Sequence, residues 1–294
     1  MTESGTRDRP AAVSSNGVPV PFDDRLFEPM RDSAPLLADP PALRARFDED
    51  GYLLLRGLLD PERVRDLRAD YFGRFDAGLL APGTTPADGV FSGTVPAGLP
   101  AYGTAGHPAY ELVRSAGFDG FTRQPRLRSL AETLLGAGAE LAPRRILRHF
   151  HRGARLASRA HVDYDYMDQG SDRLVTMWIP LGDCPVECGG LVYLTDSHRV
   201  GRAALEPLRA YTDRPDDPRP VSNDLHRTAR TLGGRWLWTD YRAGDLVLHS
   251  PHTVHASLDN TTDAMRLSID LRFRLRQEEP DRRWDGSWSA DDGF

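Results

Sequence analysis

The chain has 294 residues, 39% hydrophobic and 27% charged, with a formal net charge of −6. That composition suits a globular protein rather than a disordered one, and its acidity gives no footing for a nucleic-acid partner. No apolar run approaches the roughly 20 residues that a membrane span requires.

Residues 1–35 are polar and lack the apolar stretch of a secretory signal, with Pro21, Pro29 and Pro35 breaking any regular element. They are expected to form a disordered leader, followed by a single domain over 36–294. PPALRARFDEDG predicts a short helix, opened by its proline pair and closed at Gly51. YLLLRG reads as a strand. Asp60 then caps a second helix with Pro61 at its first position, and Val64, Leu67 and Tyr71 share a face that would pack on a sheet. Residues 78–107 carry no periodicity and are expected to be a lid loop. A third helix runs from about Pro125 to Leu135 and ends at Gly136.

Between about 140 and 275 the pattern changes to seven short strand-like runs, RRILRHF, the segment around HVDYDY, RLVTMWIPL, GLVYL, GDLVLHS, HTVHASL and MRLSIDLRFRL. A polar, proline-rich insertion interrupts them, and residues 200–244 are expected to supply a second lid. The class implied is α+β, mainly β, with N-terminal helices packed on an antiparallel sandwich or barrel. Cys184 and Cys188 fit two reduced structural thiols in a cytoplasmic protein better than a disulfide framework or a four-ligand zinc site. All 37 basic residues are arginine.

Nine histidines make chance clusters inevitable. The sharpest pattern is His161-Val162-Asp163, joined by the distant His255. Two residues apart on a strand or its edge, His161 and Asp163 present an imidazole and a carboxylate to one side. A second imidazole completes a facial two-histidine, one-carboxylate set that leaves positions open on iron(II). Eleven residues after His255 comes Arg266, with Ser268 on the same strand face. An arginine fork with a hydroxyl beside it suits the distal carboxylate of a keto-acid cosubstrate.

The segments HVD, MWIPLGDCPVECGGLVYLTDSH, GDLVLHSPHTVHASLDN and RLSIDLRF, in this order and spacing, resemble the phytanoyl-CoA dioxygenase family of iron(II)/2-oxoglutarate oxygenases across about residues 41–275. The resemblance implies a double-stranded β-helix, a jelly roll related to the cupins, with its core over about 140–275. It implies that His161, Asp163 and His255 hold catalytic iron(II), that Arg266 clamps 2-oxoglutarate, and that Ser268 and Trp178 line the cosubstrate site. Dioxygen is the oxidant. Val162 stands where the family often has Gln, at a position turned away from the metal. Because Asp163 keeps the carboxylate ligand, hydroxylation or another oxidation is expected rather than halogenation.

His149 and His151 are also two apart but lack the following Glu of a cupin-type site, so one is expected to face the pocket and the other solvent. His149, Tyr164, Tyr166 and Trp238 are the candidate substrate-pocket residues. His249 and His252 are supporting or structural, and His198 sits in a turn. The substrate implied is a small specialised metabolite; nothing in the sequence speaks to oligomeric state. The competing reading is a catalytically silent or zinc-type jelly roll, a hydrolase or ligand-binding module, in which Arg266 would have no task.

Overall fold

The structure, a computed structural model, describes residues 9–75, 78–154, 157–214 and 216–290. Its longest strand shows how the sequence builds the architecture. In RLSIDLRFRL, Leu267, Ile269, Leu271 and Phe273 alternate with Arg266, Ser268, Asp270 and Arg272, and all eight are buried. A strand places alternate residues on opposite faces, so this one divides an apolar layer from a polar interior.

Around that strand lies a six-stranded sheet. We label its members β4 (Tyr52–Leu55), β5 (Ala139–Leu141), β6 (Ile146–Phe150), β7 (Leu174–Pro180), β10 (Leu246–His249) and β12 (Arg266–Leu275), in the order β4-β10-β7-β12-β5 with β6 also pairing β12. Five helices supply partners for its apolar face: α1 (Pro40–Asp50), α2 (Pro61–Phe72), α3 (Pro108–Val113), α4 (Ala116–Thr122) and α5 (Pro125–Leu135). Val64, Leu67, Leu112, Phe118, Leu127 and Leu130 pack there against Leu147, Met177, Ile179, Leu248 and the apolar row of β12. Each such side chain contributes about 2 kcal/mol on burial, which is why the helices and the sheet form one layer pair. The expected caps are present: the Asp60 carboxylate accepts from the Glu62 N–H, and Gly51 ends α1 with φ 72°.

A four-stranded sheet faces the other side, in the order β11 (His255–Ser257), β8 (Leu191–Leu194), β9 (Trp236–Trp238), β3 (Phe27–Pro29). Trp178, Val247, Leu54 and Tyr52 of the large sheet meet Tyr193, Leu191 and Leu237 of the small one. The whole is a mixed α/β fold made mostly of sheet. No helix among the described residues is long and apolar enough to cross a membrane.

Several expectations need correction. Residues 1–8 lie outside the described residues, but the leader expected to continue to 35 is ordered from residue 9. β1 (Ala12–Ser15) and β2 (Val18–Pro21) form a hairpin turning at Asn16 and Gly17, whose φ values are 51° and 78°. The Asp259 carboxylate accepts from the Ser14 hydroxyl at 2.7 Å and from the Asn16 and Gly17 N–H groups at 2.9 and 2.8 Å. Val20 and Phe22 are buried beneath it.

The two stretches expected to be lids are also largely built in. Residues 80 and 91, and 90 and 264, form bridges. The buried Arg68 guanidinium donates to the carbonyls of Ala87, Asp88, Leu181 and Met265, fastening the start of the first stretch. The second stretch contains α6 (Arg202–Leu205), α7 (Leu225–Leu232) and the core strand β9. Finally, the strand expected around HVDYDY lasts only through two bridges, at Ala160 and His161, before the chain enters a tight 3-10 turn over Asp163–Tyr166. Cys184 and Cys188 are buried free thiols.

Candidate functional site

His161 and His255 are brought together by the backbone. Each donates its N–H to the other's carbonyl at 3.0 Å, the doubly bonded arrangement of directly opposed antiparallel residues. Opposed side chains emerge on the same face, and the two rings lie 4.1 Å apart between centroids. Each imidazole has its Nδ1 against a main-chain carbonyl, that of Arg159 at 2.6 Å and that of Thr253 at 2.9 Å. A carbonyl only accepts, so Nδ1 carries the proton and the Nε2 lone pair is left open.

Both Nε2 atoms lie 3.7 Å from Asp163 Oδ1, at the head of the 3-10 turn. The donor atoms of the three residues all fall within 4.8 Å of one another. Those separations are too long for hydrogen bonds. They are close to the roughly 3 Å between donors that share one cation at about 2.1 Å.

The protonation states fit as well. Burial pushes His161 below the ordinary imidazole range, partly opposed by Asp163, and pushes His255 well below it. Burial works against the Asp163 carboxylate too, yet the Arg272 guanidinium and the neighbouring imidazoles outweigh it and hold Asp163 well below its usual value. Two neutral imidazoles and one carboxylate are the forms a metal requires.

Thr176 and Arg272, which sequence reasoning did not place here, and His249, expected as supporting or structural, surround the other oxygen of Asp163. Oδ2 accepts from the Thr176 hydroxyl at 2.5 Å and from Arg272 Nη2 at 3.2 Å, and His249 Nε2 lies 3.4 Å away. Register explains the meeting: Thr176 of β7 is opposite both Arg272 of β12 and His249 of β10. With Oδ2 occupied, Oδ1 is the oxygen turned towards the histidines.

The three residues expected to hold the cosubstrate share one property. Arg266 is buried on the polar face of β12, with Nη1 donating to the Gly189 carbonyl and its guanidinium carbon 4.0 Å from the Phe150 ring centroid. Its Nε and Nη2, the Ser268 Oγ and the Trp178 Nε1 are buried polar atoms without a hydrogen-bond partner among the described residues. Buried donors left open in this way cost free energy unless something accepts from them.

Beside the triad is a cavity of about 390 Å³ whose walls include His161, Asp163 and Tyr166. Of the four candidate substrate residues, Tyr166 lines this cavity and the other three do not. His149 lies opposite Leu267, on the helix side of the sheet, where Nδ1 meets the Tyr71 hydroxyl at 3.0 Å. Its strand neighbours Ile146, Arg148 and Phe150 face the cavity instead. Tyr164 turns outward against His252 and Arg202. Trp238 packs edge-on against Phe22 near the N-terminal hairpin.

Two sheets thus enclose an inward-facing two-histidine, one-carboxylate group that could hold one metal ion beside a cavity. The chain matches the family described as phytanoyl-CoA dioxygenase (PhyH) over residues 47–268, and it belongs to that family. A relative named 1-deoxypentalenic acid 11-beta-hydroxylase, from Streptomyces arenae, is 25% identical over 266 residues, covering 84% of this chain and 86% of its own. Among solved structures, the epimerase SnoN in complex with Fe3+, alpha ketoglutarate and nogalamycin RO has a TM-score of 0.56 at 21% identity, covering 82% of this chain and 85% of its own. EvdO2 from Micromonospora carbonacea var. aurantiaca, complexed with 2-oxoglutarate, has a TM-score of 0.51 at 22% identity, covering 83% and 96%. These structures share the fold.

Proposed function

We propose that the protein is an iron(II)- and 2-oxoglutarate-dependent oxygenase that oxidises an unactivated C–H bond of a small specialised metabolite, on a double-stranded β-helix core. The observation that carries this reading is the inward convergence of His161, Asp163 and His255, with both imidazole lone pairs open. The donor set, two nitrogens and one oxygen, matches iron(II) sites that leave positions for cosubstrate and dioxygen. Asp163 supplies a carboxylate where a halogenating site would need a vacancy for chloride, so a hydroxylase-type oxidation is favoured.

When bound, iron(II) with 2-oxoglutarate and dioxygen supplies the oxidising power, the keto acid leaving as succinate and carbon dioxide. The chain's own residues do the rest. His161, Asp163 and His255 hold the ion, and Thr176 and Arg272 fix the carboxylate that faces it. Arg266, Ser268 and Trp178 offer open buried polar groups, and the Arg266 fork is the one that a distal carboxylate would fill. Tyr166 and the cavity walls orient the substrate and exclude water. Its cover comes from Tyr102 and Gly103 on one side and from Arg214, Asp217, Arg219 and Pro220 on the other, narrower than residues 78–107 and 200–244 as a whole.

The deciding experiment is an anaerobic titration of metal-free protein with iron(II) and then 2-oxoglutarate, following the visible metal-to-ligand charge-transfer band. A band in the wild type that is lost in Asp163→Ala and shifted to higher 2-oxoglutarate concentration in Arg266→Ala is the expected result. No band, with tight zinc binding instead, would replace this reading with that of a metal-binding or hydrolytic jelly roll.

A further inference from the structure

The cavity beside the triad is unusually cationic. Among the described residues that line it, six are arginines, Arg144, Arg148, Arg159, Arg214, Arg219 and Arg272, and two are aspartates, Asp163 and Asp217. Arg148 pairs with Asp270, Arg159 with Asp213, Arg219 with Asp217 and Arg272 with Asp163.

Arg272 is different. It is 4% exposed, and Nη2 meets Asp163, but Nε and Nη1 have no hydrogen-bond partner among the described residues. Its guanidinium carbon lies 4.6 Å from the Trp284 ring centroid, and that of Arg144, itself 5% exposed, lies 5.1 Å from the same ring. Trp284 is fixed in turn by its Nε1–H, which donates to the Tyr166 carbonyl at 2.9 Å. Two buried cations thus share one indole plate at the wall of a cavity. Open N–H groups on a buried guanidinium cost free energy unless an acceptor meets them. The plate belongs to the segment after β12, outside the residues that match the family. Tyr102, Tyr110, Phe150 and Trp288 supply aromatic wall around it.

We propose that the cavity is built for an organic anion, an apolar body bearing a carboxylate or a phosphate that Arg272 and Arg144 grip at the Trp284 plate. A guanidinium fork binds either group through two oxygens at once. The grip lies at Trp284, whereas Arg266 packs behind Phe150 and is not among the residues lining this cavity. The inference rests on the oxygenase reading for what happens to the apolar body, and not for its binding.

The test is anaerobic calorimetry on protein holding iron(II) and saturating 2-oxoglutarate. The probes are adamantane-1-carboxylate, adamantane-1-phosphonate and the neutral adamantane-1-carboxamide. At least one anion should bind about tenfold or more tightly than the carboxamide, as charge-assisted hydrogen bonds require. Carboxylate against phosphonate then tells which group the site takes. In Arg144→Gln the preference should shrink to within roughly threefold while the charge-transfer band persists. Should that variant not fold, Arg144→Lys, which keeps charge and removes the fork, is expected to lose at least about threefold. Equal binding of anion and carboxamide, no binding of any probe, or a preference indifferent to both variants would overturn the proposal. So would a preference seen only without 2-oxoglutarate, which would place the probe in the cosubstrate's site. A missing charge-transfer band in the wild type would instead count against the oxygenase reading, while the heats still decide this one.

Discussion

The two oxygens of Asp163 do different work, and this fixes what substitutions around it should do. Thr176→Val keeps the shape of the side chain and removes the hydroxyl that donates to Oδ2. Iron(II) affinity should fall by about 10- to 100-fold, with a stability change of only about 1 kcal/mol. Unaltered affinity in a metal titration would show that Arg272 alone suffices to orient the carboxylate. A second residue-scale prediction lies away from the triad. His107 caps α3, its Nδ1 accepting from the Ala109 N–H at 3.2 Å, and burial lowers its pKa from 6.5 to about 4. The unfolded chain therefore binds the proton first. The stability held by neutral His107 is complete above pH 6.5 and is lost as pH falls towards 4, up to about 3 kcal/mol. His107→Asn, which retains a capping oxygen, should flatten the fall of melting temperature across that interval; an identical slope would refute the assignment. At this scale the meeting of His161 and Asp163 was readable from their spacing of two, and that of His255 with them from the family resemblance. Thr176 and Arg272 were not, and His249 was open between a supporting and a structural part, because sheet register joins the three and the sequence does not print register.

Elements tell a similar story. The helices over 40–50, 61–72 and 125–135 were legible from their caps and apolar faces. The hairpin at 12–21 was missed although Asn16-Gly17 is a strong turn signal, because its four-residue strands gain their stability from Asp259 and a distant core. His149 was misplaced through strand parity, since the odd positions of β6 face helices and the even ones face the cavity. One polar hub deserves a test at this level. Arg209 donates Nη2 to the buried Asp165 at 2.5 Å, while its Nη1 donates to the carbonyls of Pro218, Arg219 and Pro220. It thereby ties the loop that covers the cavity to the turn that carries Asp163. Arg209→Ala should cost about 3 kcal/mol and raise the substrate KM more than it weakens the iron–2-oxoglutarate band. Equal damage to both would mean that the arginine serves only the fold.

Across the whole molecule, the expected division into leader and domain gives way to a chain whose first described strands form a hairpin packed on the core of the small sheet. Deleting residues 1–22 would remove Val20 and Phe22 from that core. The loss should be about 4 kcal/mol, or a fall in melting temperature of roughly 10 °C. An unchanged melting curve would restore the leader reading.

The mutual backbone pairing of His161 and His255 has one more consequence. Two hydrogen bonds shut a long loop of chain at the point where the metal donors stand. The helices inside the loop, 202–205 and 225–232, lie outside the strands that hold the donors and can change in length without moving either imidazole, because closure depends only weakly on loop length. The chemistry and the choice of substrate are thus mechanically separable. Chimaeras exchanging residues 206–224 between relatives should transfer substrate preference while leaving the charge-transfer spectrum of the recipient intact.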